Sequence, residues 1–122
     1  TGRGRIVKIT RIYTGDDGES HFEDIDIPLM DAGDIGALSE QVAATGIIFR
    51  ETDGDYDYHF HNAPQRQYVV MLDGEVDIEI GDGTVRRFTT GDILLAEDIT
   101  GRGHRSIAVD GKPRKSLFVT LD

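Results

Sequence analysis

The chain of 122 residues has 38% hydrophobic and 30% charged residues, an ordinary composition for one globular domain spanning residues 1–122. Its formal net charge of −10 argues against a nucleic-acid partner, because affinity for a polyanion comes largely from lysine and arginine on phosphates. The chain has no cysteine and no apolar run near the ~20 residues of a membrane helix. We therefore predict no disulfide, no thiolate chemistry and no membrane partner, and we expect a cytoplasmic location.

The N-terminal part is predicted to form strands within residues 5–27, with Gly15 to Gly18 as the turn between two of them. Charge is unevenly spread here. Residues 1–14 carry four bases and no acid, whereas residues 15–57 carry thirteen acids and one base, Arg50. Two interpretations stay open: the acids form a solvated face, or the basic strand docks on an acidic surface of the same or a partner chain. The four bases are Arg3, Arg5, Lys8 and Arg11.

The middle and C-terminal parts are predicted to form a core barrel over residues 46–121. Residues 28–37 have loop composition, and residues 38–45 are ambiguous between helix and strand, so any helix is expected within residues 30–44. Beyond them, short apolar segments alternate with Gly- and Asp-rich turns, a pattern typical of a β-sandwich or barrel. The predicted strands are 46–52, 67–72, 75–80, 84–88, 93–96, 104–109 and 116–121.

The segment Tyr58-His59-Phe60-His61 is the first candidate for chemistry. In a regular strand, residues two apart point to the same face with their Cα atoms about 6.5–7 Å apart. Two imidazoles at that separation can converge on one metal ion, about 2.0–2.2 Å from each nitrogen. A His-x-His pair also arises by chance, so it predicts a metal site only together with further donors.

Gln67 and His104 are the further donors. Gln67 begins an apolar strand whose inward side chains would be Gln67, Val69 and Met71. A buried amide needs a partner, since leaving it unpaired costs roughly 1–3 kcal/mol. That partner is either a neighbouring backbone group or a metal ion. His104 begins a later strand after a glycine-containing loop, and it is either a structural residue or the third imidazole.

These residues resemble the two motifs of the cupins. The family's first motif has the form G-x5-H-x-H-x(3,4)-E-x6-G, and this chain has Gly54-x4-His59-x-His61-x5-Gln67-x6-Gly74. Its second motif, G-x5-P-x-G-x2-H-x3-N, compares with Gly91-x9-Gly101-x2-His104. The chain departs from both motifs, with Gln67 for the glutamate, Glu97 for the proline and Ala108 for the asparagine.

The resemblance is to small single-domain cupins of an uncharacterised subgroup, and it implies an all-β, double-stranded β-helix (a jelly-roll barrel). It also implies that His59, His61 and His104 are metal ligands and that Gln67 takes the place of the carboxylate ligand. The cofactor is then one divalent ion, with Zn, Ni, Fe, Mn and Cu all compatible with imidazole and amide donors.

Losing the carboxylate leaves the charge of such an ion uncompensated, which favours anionic ligands and Lewis-acid chemistry. We therefore expect a metal-dependent enzyme of isomerase or lyase type, or a dioxygenase, acting on a small, oxygen-rich anion. Arg50 is a candidate for binding a substrate carboxylate and Tyr68 for lining the mouth of the site. A non-catalytic small-molecule or metal-binding module is the alternative. We also expect a homodimer, formed by pairing of the strand Arg5 to Tyr13.

Overall fold

The computed structural model describes residues 5–122 and consists almost entirely of β-strands, which confirms the all-β prediction. One 3-10 turn covers Gly33–Ile35, inside the range where helix was expected. Among the described residues, no helix has the length and apolar character needed to cross a membrane. The strands are β1 (Arg5–Thr14), β2 (Ser20–Asp31), β3 (Ala37–Leu38), β4 (Gly46–Thr52), β5 (Asp57–His61), β6 (Gln67–Asp73), β7 (Val76–Glu79), β8 (Val85–Phe88), β9 (Ile93–Glu97), β10 (His104–Ala108) and β11 (Arg114–Thr120).

The strands form two sheets that pack face to face around a shared core. One has the order β3-β2-β1-β9-β6-β11-β4 and the other the order β5-β10-β7-β8. All neighbours are antiparallel except β1 and β9, which run parallel. Side chains of both sheets meet in the main core because alternate residues of each strand point inward. This core comprises Ile12, Ala63, Met71, Val76, Ile78, Ile80, Phe88, Leu94 and Ala96.

Two stretches of the N-terminal half differ from the prediction. β2 continues through Pro28 to Asp31, so the loop predicted from residue 28 is wrong over its first residues. Pro28 pairs with Ile6 of β1. On the other side of β2, the short strand β3 reaches only Met30 and Asp31, so no strand lies beside Pro28 there. Pro28 therefore loses no hydrogen bond on that side through its missing N–H. Residues 39–45 form neither helix nor strand.

The basic N-terminal strand docks on acidic residues of the same chain. Arg11 forms ion pairs with Glu23 of β2 and Glu97 of β9, and Lys8 lies 3.9 Å from Asp26. Arg3 lies outside the described residues. Because β1 is enclosed between β2 and β9, the pairing expected of this strand is satisfied within the chain.

Candidate functional site

A cavity of about 260 Å³ lies between the two sheets, against the main core. Its walls are mostly apolar, but ten polar side chains also line it, and among residues 5–122 no aspartate or glutamate does. This absence is notable in a chain that has 23 acidic residues. The polar side chains are Arg50, Thr52, Tyr56, His61, Gln65, Gln67, His104, Ser106, Arg114 and Ser116.

Two of the predicted metal ligands meet inside this cavity. His61 at the end of β5 is paired with His104 at the start of β10, and their ring centroids are 4.8 Å apart. Nδ1 of His61 lies 2.8 Å from the carbonyl oxygen of His59, an acceptor, so it carries the proton and donates. Nε2 is then the free nitrogen of the His61 ring.

His104 is oriented by a buried carboxylate that sequence reasoning missed. Nδ1 of His104 donates to Oδ2 of Asp98 over 2.6 Å, and the hydroxyl of Ser20 donates to the same oxygen over 2.8 Å. Asp98 is fully buried, and its Oδ1 has no hydrogen-bond partner among the residues described. A carboxylate on Nδ1 fixes the ring orientation and leaves Nε2 as the free nitrogen.

His59 does not join the other two imidazoles. The pairing of β5 with β10 shifts between His61, opposite His104, and Tyr58, opposite Ser106, so β5 holds one extra residue. Such a bulge breaks the strict alternation of faces on which the same-face expectation for His59 and His61 rested. His59 is exposed and lies outside the cavity lining. The pKa of the nearby Asp57 is lowered chiefly by a hydrogen bond from Arg105, with a smaller contribution from the charge of His59.

Gln67 and Arg50 line the cavity, as does the unpredicted Arg114, whereas Tyr68 does not. Gln67 is 5% exposed and begins β6, with Val69 and Met71 inward beside it, as its alternation predicted. Tyr68 packs on the opposite face of the sheet, against a smaller apolar cluster.

Burial shifts the pKa of two ionisable groups that line the cavity, His61 and Arg114. It lowers the pKa of His61, which the charge of His104 lowers further although the hydrogen bond to the His59 carbonyl opposes this. Burial also lowers the pKa of Arg114, with a second contribution from the charge of Arg50. A neutral imidazole is the form that binds metal, so the environment of His61 favours its ligand state.

Comparison with solved structures gives the fold a name. A conserved Streptococcus pyogenes protein of unknown function superposes with a TM-score of 0.51 at 23% identity, covering 69% of each chain. A sugar phosphate isomerase of the cupin superfamily from Silicibacter pomeroyi superposes with a TM-score of 0.51 at 19% identity, covering 96% of this chain and 72% of its own. The cupin domain of Schizosaccharomyces pombe Cnp3 gives a TM-score of 0.51 at 7% identity, covering 100% and 86%.

The chain has the cupin fold. The double-stranded β-helix predicted from the two motifs is thereby confirmed. No protein-family model and no curated protein sequence matches the chain. At these identities the structural likeness establishes the barrel and leaves the chemistry to the site itself.

The donors inside the cupin barrel fit a divalent ion in part. His61 and His104 each offer a free Nε2, and the buried Gln67 offers an amide oxygen from the facing sheet of the same cavity. Among residues 5–122, however, no three His, Cys, Asp or Glu side chains lie close enough together to hold a metal. The assignment of His59, His61, Gln67 and His104 as four ligands stays a prediction, with His59 the member that the bulge separates from the rest.

Proposed function

We propose that the protein is a metal-dependent enzyme that acts as a Lewis acid on a small, oxygen-rich anion inside the barrel. The observation that carries this proposal is the imidazole pair. His61 and His104 lie 4.8 Å apart in an otherwise mostly apolar cavity, and each has its Nδ1 occupied by an oxygen acceptor. Two rings held so that the same nitrogen of each is free are typical of a metal centre.

His61, His104 and Gln67 would hold the ion, and Asp98 would keep the His104 ring in place. A divalent ion there supplies Lewis acidity, polarising a ligand oxygen and lowering the pKa of bound water. The protein's own contribution is orientation and exclusion of water. Asp98 and the His59 carbonyl hold the two rings in position, while Val69, Leu94 and Phe118 line apolar walls around the ligand. Isomerase or lyase chemistry is the reaction type that such a centre supports best, with oxygen chemistry as the other.

Elemental analysis of the purified protein tests the metal centre. We expect close to one divalent ion per chain, lost in His61→Ala and in His104→Ala. His21→Ala is the matched control, because His21 lies on the outer hairpin beside Asp17 and should not affect metal content. Metal retained in both cavity variants would overturn the proposal. His59→Ala separates two ligand sets: unchanged metal content supports the bulged strand, and lost metal supports the ligand set of the motif.

A non-catalytic binding module is the second candidate, favoured by one specific observation. Among residues 5–122, no carboxylate lines the cavity, so proton transfer there falls to imidazole or to the hydroxyl of Tyr56. One of the similar solved structures is a sugar phosphate isomerase, so the interconversion of small sugar phosphates is a first assay. Turnover that disappears in His104→Ala supports the enzyme. Tight ligand binding without turnover across such substrates supports the module.

A further inference from the structure

Four polar side chains on the neighbouring strands β4 and β11 lie together in the cavity lining. In the register of β4 and β11, Arg114 pairs with Thr52, and Ser116 pairs with Arg50. Residues two apart on a strand share a face, and all four line the cavity. This block, here called the arginine subsite, holds two guanidinium groups and two hydroxyl groups.

Arg114 is the strongest sign that the arginine subsite takes a ligand. The residue is 7% exposed, and its terminal Nη1 has no hydrogen-bond partner within residues 5–122. The hydroxyl of Thr52 beside it is likewise buried and has no partner in that part of the chain. Buried polar groups are nearly always paired, because leaving one unpaired costs roughly 1–3 kcal/mol and more when it is charged. Two adjacent exceptions on a cavity wall indicate groups reserved for a bound molecule.

Both arginines of this subsite lack a counter-charge. Neither Arg50 nor Arg114 has an acidic partner within residues 5–122, and no acid lines their cavity there. Elsewhere, six of the seven other described arginines have an acidic partner, and the exception, Arg5, is exposed. The arginines with an aspartate or glutamate partner are Arg11, Arg66, Arg86, Arg87, Arg102 and Arg105.

Aromatic rings contact both guanidinium groups of the subsite. The central carbon of Arg50 lies 5.4 Å from the centroid of Tyr56, and that of Arg114 lies 5.2 Å from the same ring. The same carbon of Arg50 also lies 5.5 Å from the ring centroid of Phe118. The charge of Arg50 lowers the pKa of Arg114, after the larger effect of burial, so each group experiences the field of the other. An anion between them removes this repulsion.

The arginine subsite is also connected to the imidazole pair. Tyr56 lies 6.0 Å from Tyr58, and Tyr58 lies 4.2 Å from His61, measured between ring centroids. Because the arginines and the imidazoles line one cavity, one small molecule can place an anionic group on the arginines and an oxygen function at the imidazoles.

We propose that Arg50 and Arg114, with the hydroxyls of Thr52 and Ser116, bind the phosphoryl group of a small phosphate monoester. This inference rests on the proposed function for the reacting end of the ligand. A phosphate monoester carries a charge of about −1.5 to −2 at neutral pH and three acceptor oxygens. It thus matches two arginines and two hydroxyls, whereas one carboxylate leaves a positive charge unbalanced. Arginine binds phosphate oxygens in pairs through its planar fork.

Calorimetric titration with inorganic phosphate tests the subsite directly. The protein is first stripped of metal with a chelator, so that binding at the arginines is measured apart from the metal centre. We expect Arg50→Gln and Arg114→Gln each to weaken phosphate binding by at least about tenfold, the loss typical of one charge-assisted hydrogen bond. Arg87→Gln is the matched control, because Arg87 pairs with Asp77 on an exposed surface. Phosphate affinity that is equal in wild type and both cavity variants overturns the proposal.

Malonate and acetate are the comparison probes for the ligand class. We expect phosphate to bind more tightly than malonate, and malonate more tightly than acetate. Malonate binding more tightly than phosphate through the same two arginines overturns the phosphoryl assignment in favour of a dicarboxylate. Arg50 is exposed, so Arg50→Gln carries little risk of misfolding and keeps the test sound if Arg114→Gln is damaged.

Thermal unfolding gives a second measurement that needs no activity. Without phosphate, Arg114→Gln should melt at the same or a higher temperature than wild type, because an unpaired buried charge has been removed. Added phosphate should raise the melting temperature of the wild type and not that of the variant. Retained phosphate binding in His104→Ala supports the subsite even where the metal centre fails. Absence of phosphate binding in wild-type protein that holds its metal rejects the subsite alone.

Discussion

Asp98 is buried beneath His104 and accepts a hydrogen bond from its Nδ1 over 2.6 Å. The same carboxylate oxygen accepts the hydroxyl hydrogen of Ser20, which lies 78 residues earlier in the chain. The N-terminal hairpin is thus tied directly to the imidazole that we assign to the metal. The geometry of His104 therefore depends on a hairpin of which no described residue lines the cavity.

The first prediction concerns this link. Asp98→Asn keeps the shape of the side chain but removes its charge, so the hold on Nδ1 of His104 weakens. Substitution of such a supporting group typically lowers metal affinity about 10- to 100-fold. Metal competition with a chelator should show this loss. Asp92→Asn is the control, since the Asp92 carboxylate accepts hydrogen bonds from Thr89 alone within the described residues, in a turn. Equal metal affinity in the two variants would remove Asp98 from the site.

A second prediction concerns Gly103, which lets β5 and β10 come together next to the imidazoles. Its φ is +83°, and a Cβ there would lie 2.0 Å from the carbonyl oxygen of His61. Gly103→Ala therefore combines backbone strain with a clash and should push His61 away from His104. Gly83→Ala is a matched control, with φ of +89° and no atom within 4 Å of its Cβ. In urea unfolding, Gly103→Ala should lose roughly 1–3 kcal/mol more than the control, the usual cost of overpacking. Equal losses would mean that the contact between the strands yields freely.

The third prediction is a pH dependence from Glu97. Burial raises the pKa of this side chain, but hydrogen bonds from Arg11 and Arg66 outweigh it and bring the pKa below its ordinary value of 4.5. A lowered pKa in the folded state means that the unfolded chain binds the proton first as pH falls. Glu97 thus stabilises the fold above its unfolded pKa, and this stability is lost as pH falls through the folded pKa.

Urea unfolding of Glu97→Gln at neutral pH and at about pH 3 checks this sign. At neutral pH the variant should be less stable by on the order of 1 kcal/mol, since both arginines are partly exposed and screened. At about pH 3 the difference from wild type should shrink. Glu40→Gln, an exposed position in an irregular segment, serves as control. A difference independent of pH would show that the side chain acts by packing alone.

The fourth prediction concerns the expected homodimer. β1 is paired on both sides within the chain, so it is not free to form a dimer. We therefore predict that the dimer forms through β4, an edge strand of the larger sheet as described. Its residues Ile47 and Phe49 are 59% and 78% exposed, and an apolar edge strand of this kind usually pairs or aggregates. Sedimentation at micromolar concentration should give a two-fold dimer, with Ile47→Lys and Phe49→Lys together producing monomers. Val85→Lys, at the edge of the other sheet, should stay dimeric. A monomeric wild type contradicts the dimer and not the fold.

The barrel could be predicted from sequence because its signals are local. The alternation of Gln67, Val69 and Met71 gave the inward face of β6, and Gly- and Asp-rich turns separated the strands. The His-x-His motif and the later His104 also predicted that His61 and His104 would lie together, and they do.

The rest of the site depends on distant pairing, which local patterns do not show. The bulge that turns His59 outward arises where β5 pairs with β10, some 45 residues later in sequence. Asp98 acquires its role from Ser20 and His104 together. Arg114 was not predicted as a site residue because the predicted strand began at residue 116. β11 in fact begins at residue 114, which places Arg114 on the same face as Ser116. An inward arginine on that strand was the signal available.

The last prediction concerns Gln67, where the family pattern has a carboxylate. If its amide oxygen binds the ion, Gln67→Glu adds a negative charge beside the metal. Metal binding should then tighten, while anions at the open coordination position bind more weakly because their Coulomb attraction falls. Gln67→Leu should weaken metal binding and leave the barrel folded. Gln65→Glu is the control, because Gln65 also lines the cavity but is exposed. Chelator competition gives the metal affinity, and the difference between phosphate titrations of metal-loaded and metal-stripped protein gives the anion affinity at the metal. If Gln67→Glu changes neither affinity more than Gln65→Glu does, the amide is not a ligand, and the ion is held by imidazoles and water.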